Sequence, residues 1–277
     1  MGCSSSRINV SCVEAAIING ENLLLYYSRD IEDISKLIQT NSKEGKVSKK
    51  NWGVIEKELG TVSEESQQAK VKAFYNGIKI EKGFKLSTLI TLAVLLCKGS
   101  SANKAAALFD AHDSKKLGQL SKPDVEAMID ELIEFASVKL PTLASPSDTS
   151  NSYTEEEMKT YIEKINQGKA KDREELINGV SASQEMVQKS VFVAWFDKNH
   201  KWLGSTDLRT HLKKTAKHEK GDKAGKAEKA ENPEKAEKAE KVEKAEKKDK
   251  GAEKHKEHAE GTGEKSKKKH EEAPEGS

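Results

Sequence analysis

From His211 to Ser277 the chain carries 20 lysines and 17 acidic residues, with hardly an apolar side chain larger than alanine. Such a segment has too little apolar surface to offset the entropy lost on folding, so it reads as a solvated, disordered tail. The core must therefore be built from the first 210 residues. These hold 28 basic and 29 acidic side chains and every aromatic in the chain, enough for a sizeable buried interior.

Within the tail, lysine recurs nearly every third residue from Lys226 to Lys247, mostly as Lys-Ala-Glu, interrupted by Asn232-Pro233. Three is not the helical period, so the lysines spiral around any helix instead of forming one face. Because the signs alternate, the tail's net charge is only +3. That argues against strong phosphate contact and so against a nucleic-acid role. Contact with a cytoskeletal polymer or an anionic membrane stays open, with Lys265 and Lys267–Lys269 as the compact basic patch.

Ahead of the tail, apolar residues recur at spacings of three and four, which predicts helices. The expected segments are 13–38 with a break near Gly20, then 51–59, 67–75, 86–97, 103–109, 123–138, 154–165, 173–179 and 184–195. Strand signals are nearly absent, so the fold class is all-α. Pro, Ser, Thr and Asp between 140 and 153 read as an exposed linker. The expected organisation is an N-terminal segment 1–19, two helical lobes at 20–99 and 100–210, and the tail from 211.

No stretch approaches the ~18 apolar residues of a membrane span. Met1-Gly2-Cys3-Ser4-Ser5-Ser6-Arg7 has no apolar run behind it and does not read as a secretory signal. Gly2 with Ser6 fits N-myristoylation after loss of Met1, and Cys3 stands where a palmitoyl group can be added. One myristoyl chain holds a protein only marginally, whereas a second makes attachment durable. Arg7 supplies a single charge, so Cys3 must provide the second signal; Cys12 is the weaker candidate. The expected location is the cytoplasmic face of a membrane, plasma or flagellar/ciliary. Three scattered cysteines fit a reducing setting and give no disulfide framework. No zinc spacing, phosphate-binding Gly-Lys-Ser element or nucleophile constellation emerges, so no enzymatic activity is expected. Trp195, Phe196 and Trp202 read first as core, and otherwise as a partner surface or a cover over the groove between the lobes.

The strongest internal repeat is a helix, a polar loop with glycine, an apolar residue two places on, then another helix. Taking Asp113 as position 1 of a twelve-residue calcium loop puts Gly118 at 6, Leu120 at 8, Ser121 at 9 and Asp124 at 12. Thr40–Asn51 repeats the frame, with Gly45, Val47, Ser48 and Asn51 in those places. These segments resemble the EF-hand proteins of the neuronal calcium sensor and calcineurin B-like group. The resemblance covers roughly 25–190 and implies four helix-loop-helix hands, with loops at 40–51, 77–88, 113–124 and 164–175. It also implies an acylated N-terminus and calcium-dependent binding of a protein partner.

The ligand positions depart from that pattern. A calcium loop wants oxygens at 1, 3, 5 and 12, the last ideally a bidentate Glu. In the third loop Lys115 and Leu117 hold positions 3 and 5; in the fourth Lys164 holds position 1, although Glu175 suits position 12. In the second loop Glu81 is the only acidic residue and Gly83 falls one place late; the first combines Thr40, Ser42, Glu44 and Asn51. Asp113, Ser121 and Asp124 are the best remaining calcium ligands. The expected function is a membrane-tethered adaptor or regulatory protein with calcium binding weak or lost. Its alternatives are a sensor with surviving weak sites and a membrane–cytoskeleton linker working through the tail. Asp197–Leu208 starts like a further loop but reads as a helix and turn.

Overall fold

The computed structural model describes residues 11–145, 152–182 and 184–216. By contacts the chain divides into a unit at 1–223 and a second at 224–277, the latter outside the described residues. Gly2, Cys3 and the expected disordered tail beyond 216 likewise lie outside them.

The first unit is mainly helical. Helices α1 (Cys12–Asn22) and α2 (Ile31–Thr40) split the predicted 13–38 segment beyond Gly20, not at it. Ser11 and Asp30 cap them by accepting from Glu14 N–H and Glu32 N–H. Then follow α3 (Lys49–Leu59), α4 (Glu65–Ile78), α5 (Leu86–Leu96), α6 (Ser101–His112) and α7 (Lys122–Glu134). The short α5 is buried along nearly its whole length, in line with its continuous apolar sequence. Ile31 N–H donates to Lys98 O and Lys98 N–H to Arg29 O, pinning the start of α2 to the chain leaving α5.

Among the described residues, four three-residue strands join the loops in pairs. β1 (Lys46–Ser48) runs antiparallel to β2 (Gly83–Lys85), with Val47 facing Phe84. β3 (Gln119–Ser121) pairs in the same sense with β4 (Met186–Gln188), with Leu120 facing Val187. All four of these apolar residues are buried, so each strand delivers one side chain to the core. Gly83 has φ of 139°, and a Cβ there would sit 2.0 Å from Val47 O. The pairing thus requires glycine at 83, whatever its place in a twelve-residue frame.

The largest departure from the sequence expectation is α8 (Glu155–Ser181), one helix of 27 residues. The segments expected at 154–165 and 173–179 are its two ends, and the loop assigned to 164–175 is helix interior. Lys164 and Glu175 are therefore not positions 1 and 12 of a loop. A capping box starts the helix: Thr154 Oγ1 accepts from Glu157 N–H, while the Glu157 carboxylate accepts from Thr154 N–H. Gly168, which falls one place short of the turn position in that twelve-residue frame, is buried where another helix crosses. A Cβ there would lie 2.1 Å from Leu212 O. β4 and α9 (Lys189–Lys198) complete the helix–loop–helix that pairs with the 113–124 loop.

Two further expectations change. After α7 the chain continues as a π-helical turn, Phe135–Lys139, and a 3-10 turn, Leu140–Leu143. Leu140, Pro141, Leu143 and Ser145 are buried, so the exposed linker expected at 140–153 begins no earlier than 146, and residues 146–151 lie outside the description. Leu143 packs where a Cβ on Gly20 would be 2.6 Å from its carbonyl. Helix α10 (205–216) carries the fold six residues past the composition break at 211, burying Leu208, Leu212 and Ala216. Phe196 and Trp202 are buried in the core as first read, while Trp195 is partly buried with its ring against Gly179.

The two halves of the unit meet where α5 packs against α6 and α7 and where α1 packs against the 3-10 turn that follows α7. Thr88 and Thr91 on α5 donate hydroxyl hydrogens to the two oxygens of Glu131 on α7, at 2.6 and 3.1 Å. We predict that Gly168→Ala separates α8 from α10 and costs about 1–3 kcal/mol, because backbone, unlike a flexible side chain, cannot yield. Chemical denaturation measures this; an unchanged midpoint would mean the crossing is looser than described.

Candidate functional site

Two places in the unit carry chemistry: the paired loops and a buried ion cluster beneath the N-terminal helix. In the 113–124 loop, Asp113 is buried and both its oxygens are occupied by the loop itself. Leu117 N–H donates to Oδ1 at 3.0 Å and Gly118 N–H to Oδ2 at 2.7 Å. Lys116 and Gly118 adopt φ of 55° and 69°, the left-handed conformations that aim those amides inward. Leu117 is 60% exposed. Ser121 and Asp124 are turned toward each other: Ser121 Oγ donates to Asp124 Oδ2 at 2.5 Å, and Asp124 N–H donates back to Ser121 Oγ at 3.4 Å. The three predicted ligands thus divide into a loop closure and a cap for α7.

The first loop is closed in a similar way. Asn51, at its twelfth place, donates through Nδ2 to Asn41 O at 2.8 Å, and Asn41 Nδ2 donates to Leu37 O at 2.9 Å. Ser42 Oγ donates to Gln39 O at 2.8 Å. A neutral amide here spans the loop where a carboxylate would reach a cation. Among the described residues no group of three or more His, Cys, Asp and Glu side chains is arranged to hold a metal ion.

The second place was not foreseen. Arg209 of α10 is fully buried and binds two carboxylates of α1. Its Nε and Nη2 donate to Glu14 Oε1 at 3.0 and 2.8 Å, and its Nη1 donates to Glu21 Oε1 at 2.6 Å. Nη1 also reaches Ala136 O in the π-helical turn at 3.3 Å. Ser205 Oγ donates to Glu21 Oε2, while Tyr161 OH of α8 and Lys213 Nζ donate to Glu14 Oε2. Burial by itself would raise the Glu14 carboxyl, but Arg209, with Tyr161 and Lys213, holds it below the usual carboxylate range. Burial opposes the Arg209 charge too, yet Glu21 and Glu14 outweigh it and push its pKa up. Beside this cluster His211 Nδ1 lies 3.2 Å from the fully buried Asp172, its ring against Trp202 at 4.1 Å.

A groove of about 600 Å³ opens next to the cluster, lined by residues 11–13, by the first turns of α8 and by Thr210, Lys213 and Lys214. Ser11 is the first described residue, and the segment bearing Gly2 and Cys3 joins the described chain here. Cys12 is exposed at the same place, whereas Cys97 is buried and its thiol is pushed up to about 12 by burial.

Spacing alone points to Asp113, Ser121 and Asp124. It does not reveal that α1 and α10 share buried charges nearly two hundred residues apart. The available signal was the run Leu208, Leu212 and Ala216, an apolar stripe crossing the composition break with Arg209 beside it. Comparison with known protein families, with curated proteins and with solved structures gives no match.

Two outcomes are expected. Asp113→Ala frees two loop amides and lowers stability by about 1–3 kcal/mol. The loss is the same in calcium and in chelator, read from denaturation midpoints; a loss confined to calcium-containing buffer would make Asp113 a ligand. Glu14 has its pKa lowered in the folded state, so its contribution is present above the ordinary carboxylate value of about 4.3. That contribution disappears as pH falls through the lowered value. Acid titration of unfolding should therefore be steeper for the native chain than for Glu14→Gln; equal slopes would remove Glu14 from the linkage.

Proposed function

We propose that this protein is a membrane-tethered adaptor or regulatory subunit of EF-hand type. In this reading its loops keep the helix-pair geometry while calcium binding is weak or lost. The main support is Asp113: a carboxylate at position 1 of the best loop already accepts two backbone amides, while Lys115 and Leu117 stand at positions 3 and 5. The strand pairs β1–β2 and β3–β4, each with one buried apolar contact, are what paired hands of this kind need. The fourth hand would then use the β4 loop between α8 and α9, not 164–175. Tethering rests on Gly2, Cys3 and Ser6. Among the described residues no helix is long and apolar enough to cross a membrane, so acyl chains would be the means of attachment. A protein partner is the expected target, and no catalytic role is part of this reading.

Two readings compete. A calcium sensor needs a surviving site, for which Asp113, Ser121 and Asp124 remain the candidates. A membrane–cytoskeleton linker would work through the lysine-rich tail. Calcium titration of the full chain separates the first: no change in tryptophan fluorescence below millimolar calcium is expected, and a micromolar transition would establish the sensor. Cosedimentation with microtubules or actin, with and without 217–277, tests the linker; tail-dependent pelleting would favour it over the adaptor. In cells, a myristate analogue should label the native chain but not Gly2→Ala, and only the native chain should fractionate with membranes. Absence of label together with a soluble native chain would refute tethering.

A further inference from the structure

From the clamp and the groove beside it, we infer that the end of the molecule formed by residues 11–13, the start of α8 and α10 is the face laid against a phospholipid bilayer. This rests on the tether reading and adds an orientation to it.

The groove is where the acylated segment joins the described chain, since Ser11, Cys12 and Val13 line it. Only seven residues lie between Cys3 and Ser11. Even fully extended, the eight steps from Cys3 to Ser11 reach at most about 28 Å. Helix α8, starting in the same groove, has 27 residues and so runs roughly 40 Å. Its far end leads into β4, where Met186 pairs with Ser121 of β3. The tether therefore holds the groove end of α8 within that reach of the bilayer and sets no such limit on the far end.

That inequality holds only if α1 cannot swing away from the body. The clamp prevents it. Arg209 joins α1 to α10 through Glu14 and Glu21, and Tyr161 joins α1 to α8 through Glu14. Pulling on residue 11 therefore pulls on the whole groove end. The surface there also suits an interface. Lys164 and Lys214 are exposed on the rim, with long stems that can lie along acyl surface while their ammonium groups reach lipid phosphates. Lys213 is committed to Glu14 and lies over the Tyr161 ring. Glu156 and Glu157 line the same groove, and Glu157 is held in the capping box. Both signs are present, so lipid contact here does not depend on an anionic bilayer.

The test uses the full acylated chain with Cys12→Ser, bound to phosphatidylcholine vesicles containing nitroxide-headgroup lipid. A fluorophore is placed through Thr160→Cys near the groove or through Met186→Cys at the far loops. Cys97 does not compete for label, being buried with a thiol pushed up to about 12. Lys164→Cys and Leu117→Cys, both at exposed positions, form a second pair should either first variant misfold. The groove probes should be quenched several-fold more than the far-loop probes. Equal quenching, or stronger quenching at Met186 and Leu117, overturns the orientation while leaving the tether intact. If the acylated chain does not bind the vesicles at all, the tether reading fails and the orientation falls with it.

Discussion

A buried guanidinium between two buried carboxylates is the contact on which the arrangement of this protein depends. Arg209 has no access to solvent, and Glu14 and Glu21 have almost none. Each charge would cost several kcal/mol if left alone in that place. The cluster therefore forms as a whole or not at all. Because its members come from α1 and α10, it joins the two ends of the described chain. Ala136 O draws the π-helical turn into the same set, and Tyr161 draws in α8. An apolar core of the same volume could be as stable, but it would not select one register between α1 and α10 as sharply.

The loops follow a related logic. A calcium loop holds its shape around an ion, and emptying it leaves several carboxylates facing one another. Here the backbone and neutral side chains meet those needs. Asp113 gathers the amides of its own turn, Asn51 spans the first loop, and Ser121 and Asp124 satisfy each other. These contacts brace the helix pairs on either side of each loop, in keeping with the adaptor proposed above. Glu131 extends this rigidity across the two halves through Thr88 and Thr91.

Most helices were legible because their apolar residues recur at three and four, and the loop at 113–124 because its glycine and Leu120 sit where a turn and a core residue belong. The fourth loop was misplaced for a specific reason. Gly168 falls within one place of the turn position, yet it is there so that the Leu212 carbonyl can approach, a requirement set by a helix 44 positions away. Composition makes Pro141 and Ser145 look exposed, yet both are buried, Pro141 in the 3-10 turn that packs against α1. The end of the fold was set too early at 211 because lysines already dominate there, although the Leu208, Leu212, Ala216 stripe continues. Nothing local to Glu14 names a partner 195 residues away, and the apolar stripe beside Arg209 is the one sequence signal that points toward the ion cluster.

If one shared cluster holds α1 and α10, removing its cation loosens both helices at once. Hydrogen exchange on the full chain, comparing the native sequence with Arg209→Met, reads this out. Amides of 12–22 and of 205–216 should lose protection together, while those of the 113–124 loop keep theirs. Loss confined to 205–216, with α1 as protected as before, would show that the cluster does not hold α1.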